Sequence, residues 1–168
     1  VRPLIVPSDY PMPMYVGIDL GTTRSGIAVV EADDPTLYQN NAGDRLTPSV
    51  VYYGKEEVLV GKPAENKQLE HSDRIVTDAK RRMSDDHVYT IDDEEYTPSE
   101  VSAEVLRKLK SDANQFIDEE IDGAFITVPA YFTVDQKGDV REAAELAGFD
   151  DVNLLHEPTA AAIGHGFD

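Results

Sequence analysis

The chain has 168 residues, a length that suits one domain or one lobe of a larger domain. It contains no cysteine, which excludes disulfide bonds and thiol catalysis within this sequence. Its formal net charge of −18 argues against nonspecific binding to DNA or RNA, because such binding requires a basic face.

The most informative segment, residues 14–30, predicts a β-hairpin. Two apolar, β-prone runs flank an acid, a glycine and two threonines (Asp19, Gly21, Thr22 and Thr23). Backbone N–H groups at such a turn form an anion-binding concavity, the hydroxyls add donors, and the glycine allows a close approach of the backbone. Because the acid repels a bare phosphate, we expect a cation such as Mg²⁺ on a nucleotide between them. The alternative is an ordinary polar hairpin tip.

The rest of the front half predicts short elements. Residues 50–53 and 58–60 have the pattern of a second hairpin. Residues 63–69 and 75–83 are candidates for short helices, and residues 87–96 predict a small polar hairpin. The front half is therefore expected to be rich in β-structure.

Two capping boxes, with Thr97 and Thr133 as the N-cap residues, predict the two main helices of the back half. The first helix carries apolar residues at helical spacing through residues 101–117, and the second is expected to end at Gly148.

Strands are predicted at residues 124–128 and 152–155, and Glu157 opens an alanine-rich helix. This β-α-β-α order places the end of each strand beside the start of a helix. That edge is the favoured place for a ligand in an open α/β sheet.

Six segments resemble, in the right order, signatures of the Hsp70 (DnaK-type) chaperones. They are residues 18–23, 43–49, 59–64, 79–81, 126–132 and 157–162. The resemblance covers nearly everything after Tyr15, and the last two segments are the most specific. It implies an α/β, actin-like (ribonuclease H-like) ATPase fold. Only the first lobe of that fold is expected, with a mixed β-sheet flanked by helices and a small α+β subdomain.

The resemblance also sets the expected domain organisation. Residues 1–13 are expected to form a mobile N-terminal extension, and residues 14–168 to form lobe I of an Hsp70-type nucleotide-binding domain. The second lobe, which brings the second phosphate loop and the adenosine pocket, has no match in this sequence, and neither has the peptide-binding domain.

By the same resemblance, Gly21, Thr22 and Thr23 bind the phosphates of ATP or ADP, and Asp19 holds Mg²⁺ through water. K⁺ is a further candidate cation. A carboxylate at the end of a buried strand would be costly without a cation partner, and this supports the role of Asp19.

Thr22, Lys80 and Glu157 are the expected catalytic residues. Lys80 matches the family's catalytic lysine, which acts as a point cation on the γ-phosphate and the attacking water. By itself, a lysine in a Lys-Arg-Arg run is more typical of a solvated surface. Glu157 has two interpretations: an N-cap of its helix, or the outer-shell metal carboxylate and candidate general base that the resemblance implies.

Pro129 and Lys137 resemble parts of the family's interdomain relay. Most members carry Arg at the second position, and Lys keeps the charge but loses bidentate geometry. The partners implied are the remainder of the Hsp70 chain, a J-domain co-chaperone, a nucleotide exchange factor and unfolded polypeptides. Nucleic acid and membranes are not expected partners.

The main functional hypothesis is the ATPase lobe of a chaperone for protein folding and the stress response, inactive as an isolated 168-residue chain. The alternative is a noncatalytic, truncated lobe that binds co-chaperones. A sugar kinase of the actin-like class is a third hypothesis, and residues 129–132 and 157–162 argue against it. The scattered acidic residues indicate either a docking surface for a basic partner or, as we favour, a solvated surface suited to a high-salt cytoplasm.

Overall fold

The computed structural model describes residues 13–31 and 34–156. In chain order, its elements are β1 (Met14–Asp19), β2 (Arg24–Glu31), β3 (Asp34–Leu37), β4 (Thr47–Pro48), β5 (Val51–Tyr53), β6 (Val58–Val60), α1 (Lys62–Lys67), a 3₁₀ turn (Ser72–Arg74), β7 (Ile75–Val76), a second 3₁₀ turn (Ala79–Arg82), β8 (Tyr89–Ile91), β9 (Glu94–Tyr96), α2 (Pro98–Ala113), β10 (Ile121–Val128), α3 (Val134–Leu146) and β11 (Asp151–His156). We call Ala79–Arg82 the lysine turn.

The main sheet is mixed, with strand order β11-β10-β1-β2-β3 and with β4 paired to β2. Strand β10 runs parallel to both β1 and β11, whereas β2 is antiparallel to both β1 and β3. In the parallel register of β1 and β10, Asp19 is the partner of Thr127. The two central strands therefore end at the same edge of the sheet.

The core lies between one face of this sheet and the helices α2 and α3, which also pack against each other. Alternate residues of the central strands are buried on that face: Val16, Ile18, Ala124, Ile126 and Val128. The residues between them, such as Asp19 and Phe125, are exposed on the opposite face. This period of two is what a half-buried strand requires.

Both predicted capping boxes are present. Thr97 accepts a hydrogen bond from the N–H of Glu100, and Thr133 accepts one from the N–H of Gln136. In each case the side chain of that Glu or Gln accepts a hydrogen bond from the N–H of the N-cap threonine. Gly148, with φ of 87°, follows α3 at the predicted place, in a left-handed conformation that favours glycine.

A three-stranded antiparallel sheet, in the order β6-β5-β7, forms the small subdomain with α1. The β8–β9 hairpin lies beside it and turns through Asp92 and Asp93, whose positive φ angles of 51° and 67° suit a tight hairpin turn. Both hairpins predicted in this part of the sequence are confirmed.

The helix predicted over residues 75–83 is wrong. Ile75 and Val76 form an antiparallel edge strand on β5, and only the lysine turn is helical, as a single 3₁₀ turn. Two β-branched residues in a row favour the pleated backbone, and pairing with β5 also buries Val76.

The expected N-terminal extension lies outside the described residues except for Pro13. The helix expected to begin at Glu157 also lies outside them. Within residues 13–31 and 34–156, no helix has the length and apolar character needed to cross a bilayer.

Candidate functional site

A cavity of about 750 Å³ opens where β1 and β10 end, a size typical of small-molecule sites. Its walls come from the ends of these two strands, the turn after β1, the lysine turn and the beginning of α3. The lining residues are Asp19, Gly21, Thr22, Lys80, Arg81, Thr127, Pro129, Tyr131, Phe132 and Gln136. The structure thus brings together five residues that the sequence singled out: Asp19, Gly21, Thr22, Lys80 and Pro129.

Asp19 is the last residue of β1, and its carboxylate lies in this cavity. Oδ1 accepts a hydrogen bond of 3.1 Å from the hydroxyl of Thr127 on the neighbouring strand. The side chain is exposed, so burial does not by itself require a cation beside it. The expected desolvation cost of Asp19 is therefore absent, and only the other groups in the cavity favour a cation there.

The turn after β1, residues 20–23, depends on glycine for steric reasons. A Cβ atom placed on Gly21 would lie 1.9 Å from the carbonyl oxygen of Arg24, a distance no side chain tolerates. Gly21 is therefore required by the turn itself. We call residues 20–23 the Gly21 turn.

Two serines that the sequence analysis did not single out hold this turn. The N–H of Gly21 donates to Oγ of Ser25 at 3.1 Å, and Oγ of Ser49 donates to the carbonyl oxygen of Gly21 at 2.8 Å. The Gly21 N–H is therefore already engaged, and Thr22 is the next residue of this turn that lines the cavity. The available signal was the place of Ser49 at the end of the segment 43–49, which resembles a family signature.

The lysine turn is held by Asp78, which precedes it. One carboxylate oxygen of Asp78 accepts a 2.9 Å hydrogen bond from the hydroxyl of Tyr89, and the other accepts a 3.3 Å bond from Nε of Arg82. Burial raises the pKa of Tyr89, and its hydrogen bond to the Asp78 carboxylate raises it further. Tyr89 therefore stays protonated near neutral pH and keeps donating to Asp78.

Lys80 is half-buried in the cavity wall, with Nζ 5.7 Å from the centre of the Phe132 ring. That distance allows a cation–π attraction, which orients the ammonium group. Arg81, which was not predicted as a site residue, also lines the cavity. The cavity therefore contains two cationic side chains from adjacent positions of one turn.

The segment before α3 and the first turn of that helix close the other side of the cavity. Tyr131 is 81% exposed at its rim, and Gln136 is fixed in the capping box of Thr133. The N-terminus of a helix carries partial positive charge, so this wall also favours an anion.

Two of the predicted site residues that the structure describes do not line the cavity. Thr23 lies in the Gly21 turn, where its carbonyl oxygen accepts a 2.9 Å hydrogen bond from the N–H of Ser49. Lys137 is half-buried in the first turn of α3, directly after Gln136. Glu157 lies outside the described residues.

The donor set suits the phosphate groups of a Mg-nucleotide. Asp19 offers a hard oxygen ligand, Thr22 offers hydroxyl and N–H donors, and Lys80 and Arg81 offer positive charge. Among the described residues, no group of three or more His, Asp or Glu side chains gathers to form a metal cage. Mg²⁺ is usually held by one or two carboxylates, water and substrate phosphates, and Asp19 offers one such carboxylate.

Comparison with known proteins identifies the family. The chain matches the Hsp70 protein family over residues 15–90 and 85–168. It is 44% identical over 154 residues to the chaperone protein DnaK of Halobacterium salinarum, in strains R1 and NRC-1, covering 91% of this chain and 24% of each relative. The chain thus spans about a quarter of the length of these relatives. This chain belongs to the Hsp70 family, and its mixed sheet with flanking helices has that family's actin-like ATPase fold.

Proposed function

We propose that residues 14–168 form lobe I of the nucleotide-binding domain of an Hsp70-type chaperone. Joined to the rest of that chaperone, the lobe binds and hydrolyses ATP and so drives the cycle of unfolded-peptide binding. One observation carries the proposal: a single cavity brings Asp19 and Thr22, from the motif at the end of β1, together with Lys80 from the distant lysine turn. Phosphoryl transfer depends mainly on positioning and charge stabilisation, and this arrangement supplies both.

The bound Mg-ATP supplies the γ-phosphoryl group and the divalent charge that neutralises it. Asp19, oriented by Thr127, accepts hydrogen bonds from the water shell of the cation. The hydroxyl and N–H of Thr22 donate to phosphate oxygens. As a point cation, Lys80 stabilises the negative charge of the γ-phosphate and positions the attacking water. We assign Glu157 to the outer shell of the cation and to orienting that water.

Pro129 and Lys137 are proposed to form the interdomain relay. Pro129 is buried in the cavity wall directly after β10, and its carbonyl oxygen accepts a hydrogen bond from the N–H of Phe132 at 3.1 Å. Lys137 lies further along the chain, in the first turn of α3. The short segment between Pro129 and Lys137 links the cavity wall to the N-terminus of α3, and this supports the proposed relay.

The proposed partners are the remainder of the Hsp70 chain, a J-domain co-chaperone, a nucleotide exchange factor and unfolded polypeptides. The proposed location is a cytoplasm of high salt concentration. The proposed high-salt location is supported by runs of acidic residues that are exposed in the structure, among them residues 92–95 and 118–120. The alternative of a noncatalytic co-chaperone-binding lobe is not favoured, because the charged and hydroxyl groups of the cavity are retained.

The proposal is tested with Lys80→Ala in the full-length chaperone. Hydrolysis should be abolished in single-turnover assays while ATP still binds, because Lys80 acts mainly on the transition state and many groups hold the ground state. Lys62→Ala, which changes an exposed lysine on α1 outside the cavity, is the matched control and should behave like wild type. Unchanged cleavage in Lys80→Ala would refute its role, and a wild-type protein that binds no ATP would refute the proposed function.

A further inference from the structure

Ser25 and Ser49 form a closed ring of hydrogen bonds with the backbone of Gly21. The N–H of Gly21 lies 3.1 Å from Oγ of Ser25, the two serine Oγ atoms are 2.9 Å apart, and Oγ of Ser49 lies 2.8 Å from the carbonyl oxygen of Gly21. All three distances are within the normal range.

The direction of every bond in this ring follows from the available protons. The carbonyl oxygen of Gly21 only accepts, so the hydroxyl proton of Ser49 is used there. Ser25 must then donate its own proton to Oγ of Ser49, and its lone pair accepts the N–H of Gly21. Each of the three groups donates once and accepts once, so the ring closes without a competing arrangement.

The ring joins the neighbouring residues Gly21 and Ser25 to Ser49, which lies 24 positions after Ser25 in the chain. Ser25 is 0% exposed near the start of β2, and Ser49 is half-buried between β4 and β5. The N–H of Ser49 also donates to the carbonyl oxygen of Thr23 at 2.9 Å. The Gly21 turn is thus held at both of its ends, with Thr22, which lines the cavity, between them.

We propose that Ser25 and Ser49 are positioning residues for phosphate binding. They do not line the cavity, and they act by fixing the backbone of the Gly21 turn so that Thr22 presents its donors there. This inference rests on the proposed function, because it assumes that the cavity binds the phosphates of a nucleotide. It adds that the segment leading into the small subdomain, whose first strand β5 begins two residues after Ser49, is bonded to the Gly21 turn.

The test compares Ser25→Ala and Ser49→Ala with Ser102→Ala in the full-length protein. Ser102 is 2% exposed on α2 and does not line the cavity, so its variant removes a buried hydroxyl elsewhere. The first measurement needs no nucleotide: hydrogen exchange of the peptide that contains residues 20–23. Ser25→Ala removes the acceptor of the Gly21 N–H and should accelerate exchange at that amide by roughly three- to tenfold.

The second measurement is the affinity for Mg-ADP, at a temperature well below the melting point of every variant. We expect Ser49→Ala to weaken binding by roughly three- to tenfold. Ser49→Thr, which keeps the hydroxyl, should restore binding, and Ser102→Ala should match wild type. The double variant Ser25→Ala/Ser49→Ala should lose less than the sum of the two single changes, because the ring is lost as a unit.

The inference is overturned if both serine variants exchange and bind Mg-ADP as Ser102→Ala does. In that case the two serines only satisfy buried polar groups. A wild-type protein that does not bind Mg-ADP overturns the proposed function and this inference together. Wild-type binding with unaffected serine variants overturns this inference alone.

Discussion

The hydroxyl of Thr127 donates a 3.1 Å hydrogen bond to Oδ1 of Asp19 across the parallel pair β1 and β10. The two residues are register partners at the edge where both strands end, so the bond fixes an exposed carboxylate at the mouth of the cavity. An ionised carboxylate has about four lone-pair sites, and Thr127 occupies only one of them. As far as the described residues are concerned, the remaining sites stay available to a hydrated cation.

Removing the charge of Asp19 and removing its hydrogen bond from Thr127 should have different effects on nucleotide binding. Asp19→Asn should make ATP affinity much less dependent on Mg²⁺, since it removes the charge that a hard cation prefers. Thr127→Val keeps the charge but loses the hydrogen bond, so the Mg²⁺ dependence should persist while affinity falls by roughly three- to tenfold. Calorimetric titrations of the complete protein with and without Mg²⁺ measure both effects. Wild-type Mg²⁺ dependence in Asp19→Asn would make Asp19 a structural turn residue.

Two glycines offer an opposed pair of alanine substitutions. Gly21→Ala places a Cβ atom 1.9 Å from the carbonyl oxygen of Arg24, so we expect a loss of about 1–3 kcal/mol in the free energy of unfolding. Gly138→Ala places its Cβ in open space within α3, where alanine is the better helix former, and should stabilise by about 0.5–1 kcal/mol. Urea titrations of both variants provide the measurement. Equal effects would mean that the Gly21 turn relaxes easily.

Most elements were predictable because their signals are local. The capping boxes at Thr97 and Thr133 predict helix starts from residues only three positions apart. Gly148 predicts a helix end because glycine readily adopts the left-handed backbone conformation that it has in the structure. The segment 75–83 failed because its structure is decided by pairing with β5, which lies more than twenty residues earlier in the chain.

The same contrast between local signals and contacts made by distant residues applies to the candidate site. Asp19, Gly21 and Thr22 lie within one short motif, and Lys80 was found only through its resemblance to a family segment. The ring of Ser25 and Ser49 could not be derived from sequence, because its two members are 24 positions apart and the bond depends on how the strands return. Arg81 and Thr127 lie in segments 79–81 and 126–132, which resemble family signatures, but only the structure shows that their side chains line the cavity.

The hydroxyl of Tyr53 is buried without a hydrogen-bond partner among the described residues, while its ring stacks on Tyr96 with centroids 4.1 Å apart. Tyr53→Phe keeps the stack and removes the unsatisfied group, so stability at pH 7 should stay equal or rise by up to about 1 kcal/mol. Tyr89→Phe is the matched control. It loses a hydrogen bond to Asp78 and should cost about 1 kcal/mol. A clear loss of stability in Tyr53→Phe would mean that its hydroxyl has a partner.

The same tyrosines predict a loss of stability at alkaline pH. Burial raises the pKa of Tyr53, and a hydrogen bond to Glu94 raises the pKa of Tyr96 to about 12, both from an ordinary value of 10.0. A raised pKa in the folded state means that the neutral form is favoured there. The neutral tyrosine hydroxyl therefore contributes its full stabilisation below pH 10, and this stabilisation is lost as the pH rises towards 12. Thermal unfolding of wild type and Tyr53→Phe between pH 8 and pH 12 should show a smaller decline in the variant.

Stability should rise with salt concentration, because the net charge of −18 repels itself and the acidic runs are exposed. At molar salt the screening length falls to roughly 3 Å, which removes most of this repulsion. The melting temperature should therefore be clearly higher in molar KCl than in low salt. A triple variant, Asp118→Asn, Glu119→Gln and Glu120→Gln, removes three exposed charges and should melt higher than wild type in low salt and nearly equally in molar KCl. A melting temperature that does not depend on salt would contradict the explanation by self-repulsion. The acidic surface would then require a different cause, such as a basic partner bound in the cell.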